Sequence, residues 1–456
     1  MKHKSRKLGK VSFVLLFITV VLFSFSINTC ATNNIEDSNL IPPLDVLWEY
    51  KDKGRVCDFD ASDNFIYVLG DQFYVFEADT GKIVWSYDMV GPCPFHEEKG
   101  LICYGNGTIY TGNSSYTGDN STIYAFNSTD GALKWFYHVN GSLYNLFVKN
   151  DVLYVITHDP AFLYALNPNN GKKIWDYNTG FNLLHTPQIH DKIICFRTST
   201  SKEHPWTPYW KSAIHVINTS TGEQLWKWEN ESIVFDDDIL FSNDTILVVT
   251  TSKFVYSINA SNFEINWELR NPEFHVLSFA DKKSVYRVFH DKLESLDVIT
   301  GKLKWEFEVQ EPKDVDIKNG SIYVCSADKL YSLNSTTGRL NWIFRTQDTY
   351  KIFNTSSLRI EDKRCDAFRV YFLDNTIYLF SNNNYLYSLN TSGKLNWGIQ
   401  LEDRPFKHNF ASHNGVLYTI IDDTLDIIDL KNGTLLQKIE TEGFFPSFTK
   451  NTIYLH

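Results

Sequence analysis

The stretch NSTTGRLNW, Asn334 to Trp342, has the form of a hairpin turn with a tryptophan four residues past its glycine. Nearly the same nonapeptide returns as NSTDGALKW (127–135), NPNNGKKIW (167–175), NTSTGEQLW (218–226) and DVITGKLKW (297–305). Aligned on the position four past the turn glycine, tryptophan stands at Trp85, Trp135, Trp175, Trp226, Trp267, Trp305, Trp342 and Trp397. Two copies depart slightly: Phe263 takes the glycine slot before Trp267, and the turn before Trp397 is one residue shorter. A ninth copy, DLKNGTLLQ, ends on Gln437. Internal periods of 20–50 residues signal a repeat architecture, and here the tryptophans recur every 37 to 55 residues.

Before each turn lies a short alternating strand (IYAFN, LYALN, IHVIN, VYSIN, LYSLN, LDIID), and upstream of that another (TIYTG, VLYVI, SIYVC, TIYLF, VLYTI). With an inner segment and the strand that carries the tryptophan, each unit holds four short antiparallel strands. That is a propeller blade, and the chain is predicted to be all-β. Asn or Asp opens the turn by bonding its own backbone two residues on, and Gly supplies the positive φ. A fixed turn length sets the register of the last strand, so every tryptophan faces the same way and is expected to dock on the neighbouring blade.

LYALNPNNGKKIW and LYSLNSTTGRLNW resemble the pyrroloquinoline quinone (PQQ)-type propeller repeat with its tryptophan-docking motif, over about residues 46 to 456. The resemblance implies a single large propeller, with eight blades as the family norm. It spans quinoprotein dehydrogenases and a non-catalytic branch of outer-membrane assembly lipoproteins, and the chain is more similar to the latter. Nine units are countable here. In addition DVLWEYK (45–51) reads as an isolated last strand, and FFPSFTKNTIYLH (444–456) as isolated first and second strands. Meeting in one composite blade, these ends would close the ring and bring the count to nine or ten.

The N-terminus is a separate object. Lys2, Lys4, Arg6, Lys7 and Lys10 precede an uninterrupted apolar run, residues 11–27, the layout of a secretory signal or signal anchor. Residues 1–34 are therefore assigned to a signal or anchor and 35–456 to the propeller, with membrane attachment only through the N-terminal segment and an extracytoplasmic location, either secreted or anchored. Setting those five basic residues aside moves the formal net charge from −11 to −16, which disfavours nucleic acid and anionic lipid. The seven cysteines include no C-x-x-C. Cys93 and Cys103 are a candidate disulfide in an oxidising compartment, or else small core residues.

In a four-strand blade, the first–second and third–fourth turns lie on one face and the other links on the opposite face. The third–fourth turns are short and uniform. The long insertions, GNSSYTGDNS, CFRTSTSKEHPWTPYWKSA and RTQDTYKIFNTSSLRIEDKRCD, all fall on the other face. Within them Trp206, Tyr209 and Trp210 are candidate partner contacts, as aromatics in a proline-stiffened loop. Acceptor sequons at Asn127, Asn218, Asn259, Asn334, Asn390 and Asn432 sit in the third–fourth turns and are candidate glycosylation sites that would leave the insertion face clear. Further sequons occur at 106, 113 and elsewhere.

Chemistry is sparse. The dehydrogenase branch implies a vicinal disulfide and acidic calcium ligands. No cysteines are adjacent, and no acids can be assigned to that site by motif. DFDASDN (58–64) departs from a calcium loop at the glycine and bidentate positions. His185 and His190, or His408 and His413, lack further ligands at metal spacing. The expected function is an exported, non-catalytic scaffold binding protein or envelope polymer, with no catalytic, metal or cofactor residues assigned. The alternative is a quinoprotein oxidoreductase or sensor holding PQQ and calcium.

Overall fold

The computed structural model describes residues 9–14, 44–50, 58–88, 101–199, 212–230, 239–270, 278–346, 349–373, 375–401, 410–440, 446–448 and 453–455, with short breaks inside several of these spans. Its elements are all strands, and they form propeller blades. Among the described residues there are ten sheets of four or five strands and one two-stranded hairpin. The chain divides into two compact units: Met1–Phe235 with Glu442–His456, and Asp236–Thr441.

Nine of the larger sheets are antiparallel meanders of consecutive strands. In unit 1 they begin with Asp58–Ala61, Phe65–Leu69, Phe73–Glu77 and Ile83–Tyr87. The next is Ile102–Gly105, Thr108–Ser114, Asn120–Asn127 and Leu133–Asn140. It is followed by Ser142–Lys149, Val152–His158, Phe162–Leu166 and Lys173–Asn178, and then by a sheet ending in Ile193–Ser199, Ser212–Asn218 and Gln224–Asn230. Unit 2 repeats the plan five times, from Leu240–Ser242 to Leu435–Glu440.

The burial of each strand follows its place in the blade. Second and third strands are covered on both faces: Phe162–Leu166 and Val416–Ile421 are buried throughout. Fourth strands are half-open, buried mainly at their tryptophan and carrying exposed Leu133, Ile265, Leu303 and Leu340 on the other side. Lysines and glutamates along the fourth strands, such as Lys134 and Glu306, discourage pairing of the outer edges with other chains.

The turn chemistry is uniform. Asn334 N–H donates to Arg339 O (2.8 Å), Gly338 N–H donates to Asn334 O (2.9 Å), and Asn334 Oδ1 accepts from Thr336 N (3.0 Å) and Thr337 N (2.9 Å). The turn residue at the glycine slot has positive φ even where it is Phe263 (φ 60°). One residue before each tryptophan the fourth strand bulges, as between Leu133 and Trp135, so two residues oppose one and the indole is turned onto the next blade.

The tenth larger sheet draws on both ends of the chain. Its order is Leu44–Tyr50, Gly9–Val14, Ile453–Leu455, Pro446–Phe448. The terminal strands expected to share a blade do so. Gly9–Val14 lies between them, parallel to both neighbours. Residues 15–43, the rest of the apolar run among them, are outside the described residues, and among the described residues no helix is long and apolar enough to cross a membrane.

Three insertions differ in form from a plain loop. The first is mostly strand, leaving only residues 115–119 between Ser114 and Asn120. In the second, Ile193–Ser199 and Ser212–Asn218 extend toward the loop and pair Ser199 with Ser212 at its stem. The third is a hairpin of Thr349–Asn354 and Arg359–Arg364, with Thr349 opposite Arg364.

Candidate interaction face

Blade-to-blade contacts make the platform. In unit 1 the indole of Trp48 lies against Gly81, Trp85 against Gly131, Trp135 against Gly171 and Trp175 against Gly222. In unit 2 Trp267 lies against Gly301, Trp305 against Gly338, Trp342 against Gly393 and Trp397 against Gly433. A Cβ at Gly171 would meet Trp135 at 2.5 Å, so only glycine admits the ring. The indole N–H groups donate to turn carbonyls of the next blade: Trp48 to Ala78 (3.0 Å), Trp135 to Pro168 (2.9 Å), Trp175 to Thr219 (2.9 Å) and Trp305 to Ser335 (3.1 Å). Trp85 is the exception, its Nε1 buried without an acceptor. Trp226 stands in the same register, opposite Val216, with its ring 6.3 Å from that of Trp228.

Trp48 was not among the expected docking residues, because no turn glycine precedes it. The signal was nonetheless present, since LWEY has the pattern of KIWDY at the equivalent strand. A second tie joins first strands. Asp58 Oδ2 accepts from Leu101 N (2.8 Å) and Ile102 N (3.1 Å), and its Oδ1 from Phe59 N (2.9 Å). Asp314 Oδ2 likewise accepts from Val370 N (3.0 Å). The acidic run that resembles a calcium loop therefore directs its first carboxylate to backbone amides of the neighbouring blade. Among the described residues no group of three or more His, Cys, Asp or Glu is placed to hold a metal ion.

The insertion-bearing end of unit 1 has a distinct polar composition. In the third meander the link between second and third strands is short: Thr157 Oγ1 donates to Pro160 O (3.1 Å) and accepts from Phe162 N (3.2 Å). In the meanders on either side the sequence inserts residues 115–119 and 200–211 between second and third strands. Near the strand ends on this side stand Asn113, His158, His185, Arg197 and Thr198. Asn113 is 2% exposed with its Nδ2 buried and unpartnered, so it is not available to a glycan. The His158 ring stacks on Tyr144, 3.9 Å between centroids. His185 N–H donates to Arg197 O (3.0 Å). Burial, with the positive charge of Arg197 and the imidazole of His158 beside it, lowers the His185 imidazole to about 3.

A clasp joins Lys173–Asn178 to the meander that follows it. Tyr177 Oη donates to Gln224 Oε1 (2.6 Å) and lies 3.0 Å from His215 Nδ1, while Thr198 Oγ1 lies 2.8 Å from His215 Nε2. With Tyr177's one proton given to Gln224, Nδ1–H is the donor to Tyr177 and Nε2 the acceptor from Thr198. The ring is fully buried and stacks on Phe196, 5.0 Å between centroids. Burial and nearby Lys227 lower it to about 3, and burial pushes Tyr177 up to about 12. The clasp is thus neutral and ties Tyr177 of one meander to His215, Thr198 and Gln224 of the next.

The remaining expected residues fall as follows. Trp206, Tyr209 and Trp210 lie outside the described residues, as do Cys93 and His408. Cys103 is a thiol, pushed up by burial and packed against the unit 1 core. Asn127, Asn218, Asn259, Asn334 and Asn390 each open a third–fourth turn, with Oδ1 accepting from the backbone two residues on. Asn432 lies within such a turn and accepts from Thr434 N (2.8 Å). In this geometry the amide oxygen serves the turn, and the nitrogen that would carry a glycan is not needed by it.

Repeated blades with tryptophans docked on the next turn define a propeller scaffold of the PQQ-like repeat class. The family model described as Outer membrane protein assembly factor BamB matches residues 45–183 and 210–443, and the chain belongs to that family. The chain is similar to the outer membrane protein assembly factor BamB of Yersinia pestis, 21% identical over 250 residues, 54% of this chain and 55% of that protein. It is also similar to tetrathionate hydrolase of Acidithiobacillus ferrooxidans, 23% identical over 213 residues, 45% of this chain and 35% of that enzyme. It thus matches about half or less of the length of these curated relatives. Among solved structures, BamB from Moraxella catarrhalis superposes with a TM-score of 0.39 at 13% identity, covering 70% of this chain and 90% of that one.

Proposed function

We infer that the protein is an extracytoplasmic, non-catalytic propeller scaffold that binds another protein, or an envelope polymer, through the insertion-bearing end of its blades. The observation that carries this reading is the asymmetry of the unit 1 blades. One end has short, uniform Asx turns filled by docked tryptophans. At the other end the sequence inserts residues 115–119 and 200–211, and Asn113, His158, His185 and Arg197 stand near the strand ends there. Variable loops on a rigid scaffold are where recognition usually resides. Membership of the assembly-factor family supports a protein partner, and the basic apolar N-terminus supports export and attachment.

No cofactor is proposed, and Trp206, Tyr209 and Trp210 are assigned to partner contact. Titration with PQQ in excess calcium separates this reading from a quinoprotein. A scaffold gives no binding heat and no quinone absorbance shift, whereas micromolar or tighter binding would make the protein a quinone binder.

A further inference from the structure

The fourth strand of the second meander, Leu133–Asn140, carries an unusual outer face. Trp135 and Val139 are buried, while Phe136, His138 and Asn140 alternate with them on the other face and are exposed. Phe136 is 56% exposed, and the His138 ring meets it edge-on, 5.4 Å between centroids. Thr122 Oγ1 lies 3.0 Å from His138 Nδ1 and holds that ring. The neighbouring third strand places Tyr124, Thr122 and Asn120 opposite Phe136, His138 and Asn140. In other fourth strands the positions one and three past the tryptophan hold Ser86 and Asp88, Asp176 and Asn178, Glu268 and Arg270, and Glu306 and Glu308. Two rings on this outer face are therefore no requirement of the blade. Asn140 ends the strand, away from its Asx turn, and opens Asn140-Gly141-Ser142, an acceptor sequon.

We propose that Asn140 carries an N-linked glycan whose first sugars lie along the strand over His138 and Phe136. The inference rests on the export reading above and adds a modification site with its own aromatic platform. Asn140 N–H donates to Tyr164 Oη (3.0 Å), so its backbone is pinned to the next meander while the residue stays exposed. Gly141 makes the turn that follows, where a Cβ would meet Pro160 O at 2.5 Å. Alternate residues of a strand are about 7 Å apart, which puts His138 about 7 Å and Phe136 about 14 Å along the strand from the acceptor. That is the reach of the first few sugars of a chain. The C–H groups of a pyranose are slightly positive and pack on the negative face of an aromatic ring, covering apolar surface that Phe136 otherwise presents to water. In the transfer step Asn140 Nδ2 attacks C1 of a lipid-phosphate-activated oligosaccharide held by a transferring enzyme. The Nδ2–C1 bond forms and the C1–O bond to phosphate breaks. Its electron pair leaves with the lipid phosphate, and one Nδ2 proton passes to a base of that enzyme.

The test uses the full chain purified from a host that glycosylates its exported proteins, digested with trypsin. Residues 135–149, between Lys134 and Lys149, form one peptide in which Asn140 is the single acceptor. Mass spectrometry is expected to find sugar on that peptide and none after Asn140→Gln. An exported chain with this peptide bare overturns the proposal and leaves the export reading standing. A chain retained in the cytoplasm and bare throughout overturns both. The platform is read separately by thermal melting. Asn140→Gln is expected to lower the melting temperature of the glycosylated chain by about 1–2 °C, and to change nothing in a Phe136→Ser/His138→Ser background. An equal drop in both backgrounds overturns the aromatic platform. The native and Asn140→Gln chains made without glycosylation are expected to melt together, which separates the sugar from the asparagine; a drop of the same size there overturns the platform too.

Discussion

At the scale of the residue, the fold is held by a side chain meeting an absent one. Trp135 over Gly171 buries an indole, donates to Pro168 O and requires that nothing project from the turn. Trp135→Ala should therefore lower unfolding free energy by about 3–5 kcal/mol, measured by denaturant titration. Glycines separate two costs. Gly171 and Gly320 both have positive φ, but a Cβ at Gly320 meets nothing within 4 Å. Gly320→Ala should cost about 1 kcal/mol of backbone strain, and Gly171→Ala clearly more. Equal losses would mean that the Trp–Gly contact contributes little. His215 sets a pH dependence. Its folded value is lowered to about 3, so the unfolded chain binds a proton that the folded chain refuses between there and the ordinary histidine value near 6.5. Stability is expected to fall as pH drops through that window, by at most about 1.4 kcal/mol per unit from this group. His215→Gln should flatten that part of a thermal-melt series.

At the scale of the element, the nonapeptide explains most of what was legible from residues alone. The Asn–Gly turn, the bulge and the tryptophan register are local, so a linear pattern carries them. Asn334→Ala is expected to cost about 1 kcal/mol, because Oδ1 satisfies two backbone donors, and to do so whether or not the sequon is glycosylated. What was not legible depends on partners distant in sequence. Trp48 acquires its turn glycine from a following hairpin. Asp58 reads like part of a calcium loop until Leu101 and Ile102 are placed beside it. His215 looks like one more strand histidine until Tyr177 and Thr198 enclose it. The 345–366 insertion read as a loop because its charged residues mask the pairing of Thr349–Asn354 with Arg359–Arg364.

At the scale of the whole molecule, each unit is a run of similar blades whose stability is approximately a sum of blade and neighbour terms. Trp85 and Trp175 dock on different turns and share no acceptor. The costs of Trp85→Ala and Trp175→Ala should add within about 0.5 kcal/mol. A scaffold of this kind can lose loop chemistry without losing its fold, which makes the functional reading directly testable. The decisive measurement is the affinity of purified full-length protein for its envelope partner, captured by cross-linking and then identified, compared between the native chain and the Trp206→Ala/Trp210→Ala double variant with equal melting temperatures. The loop-face account predicts a loss of at least about 2 kcal/mol of binding, some thirtyfold. An unchanged affinity, with cross-links mapping instead to the Asx-turn end at 127–131 and 167–171, would contradict it.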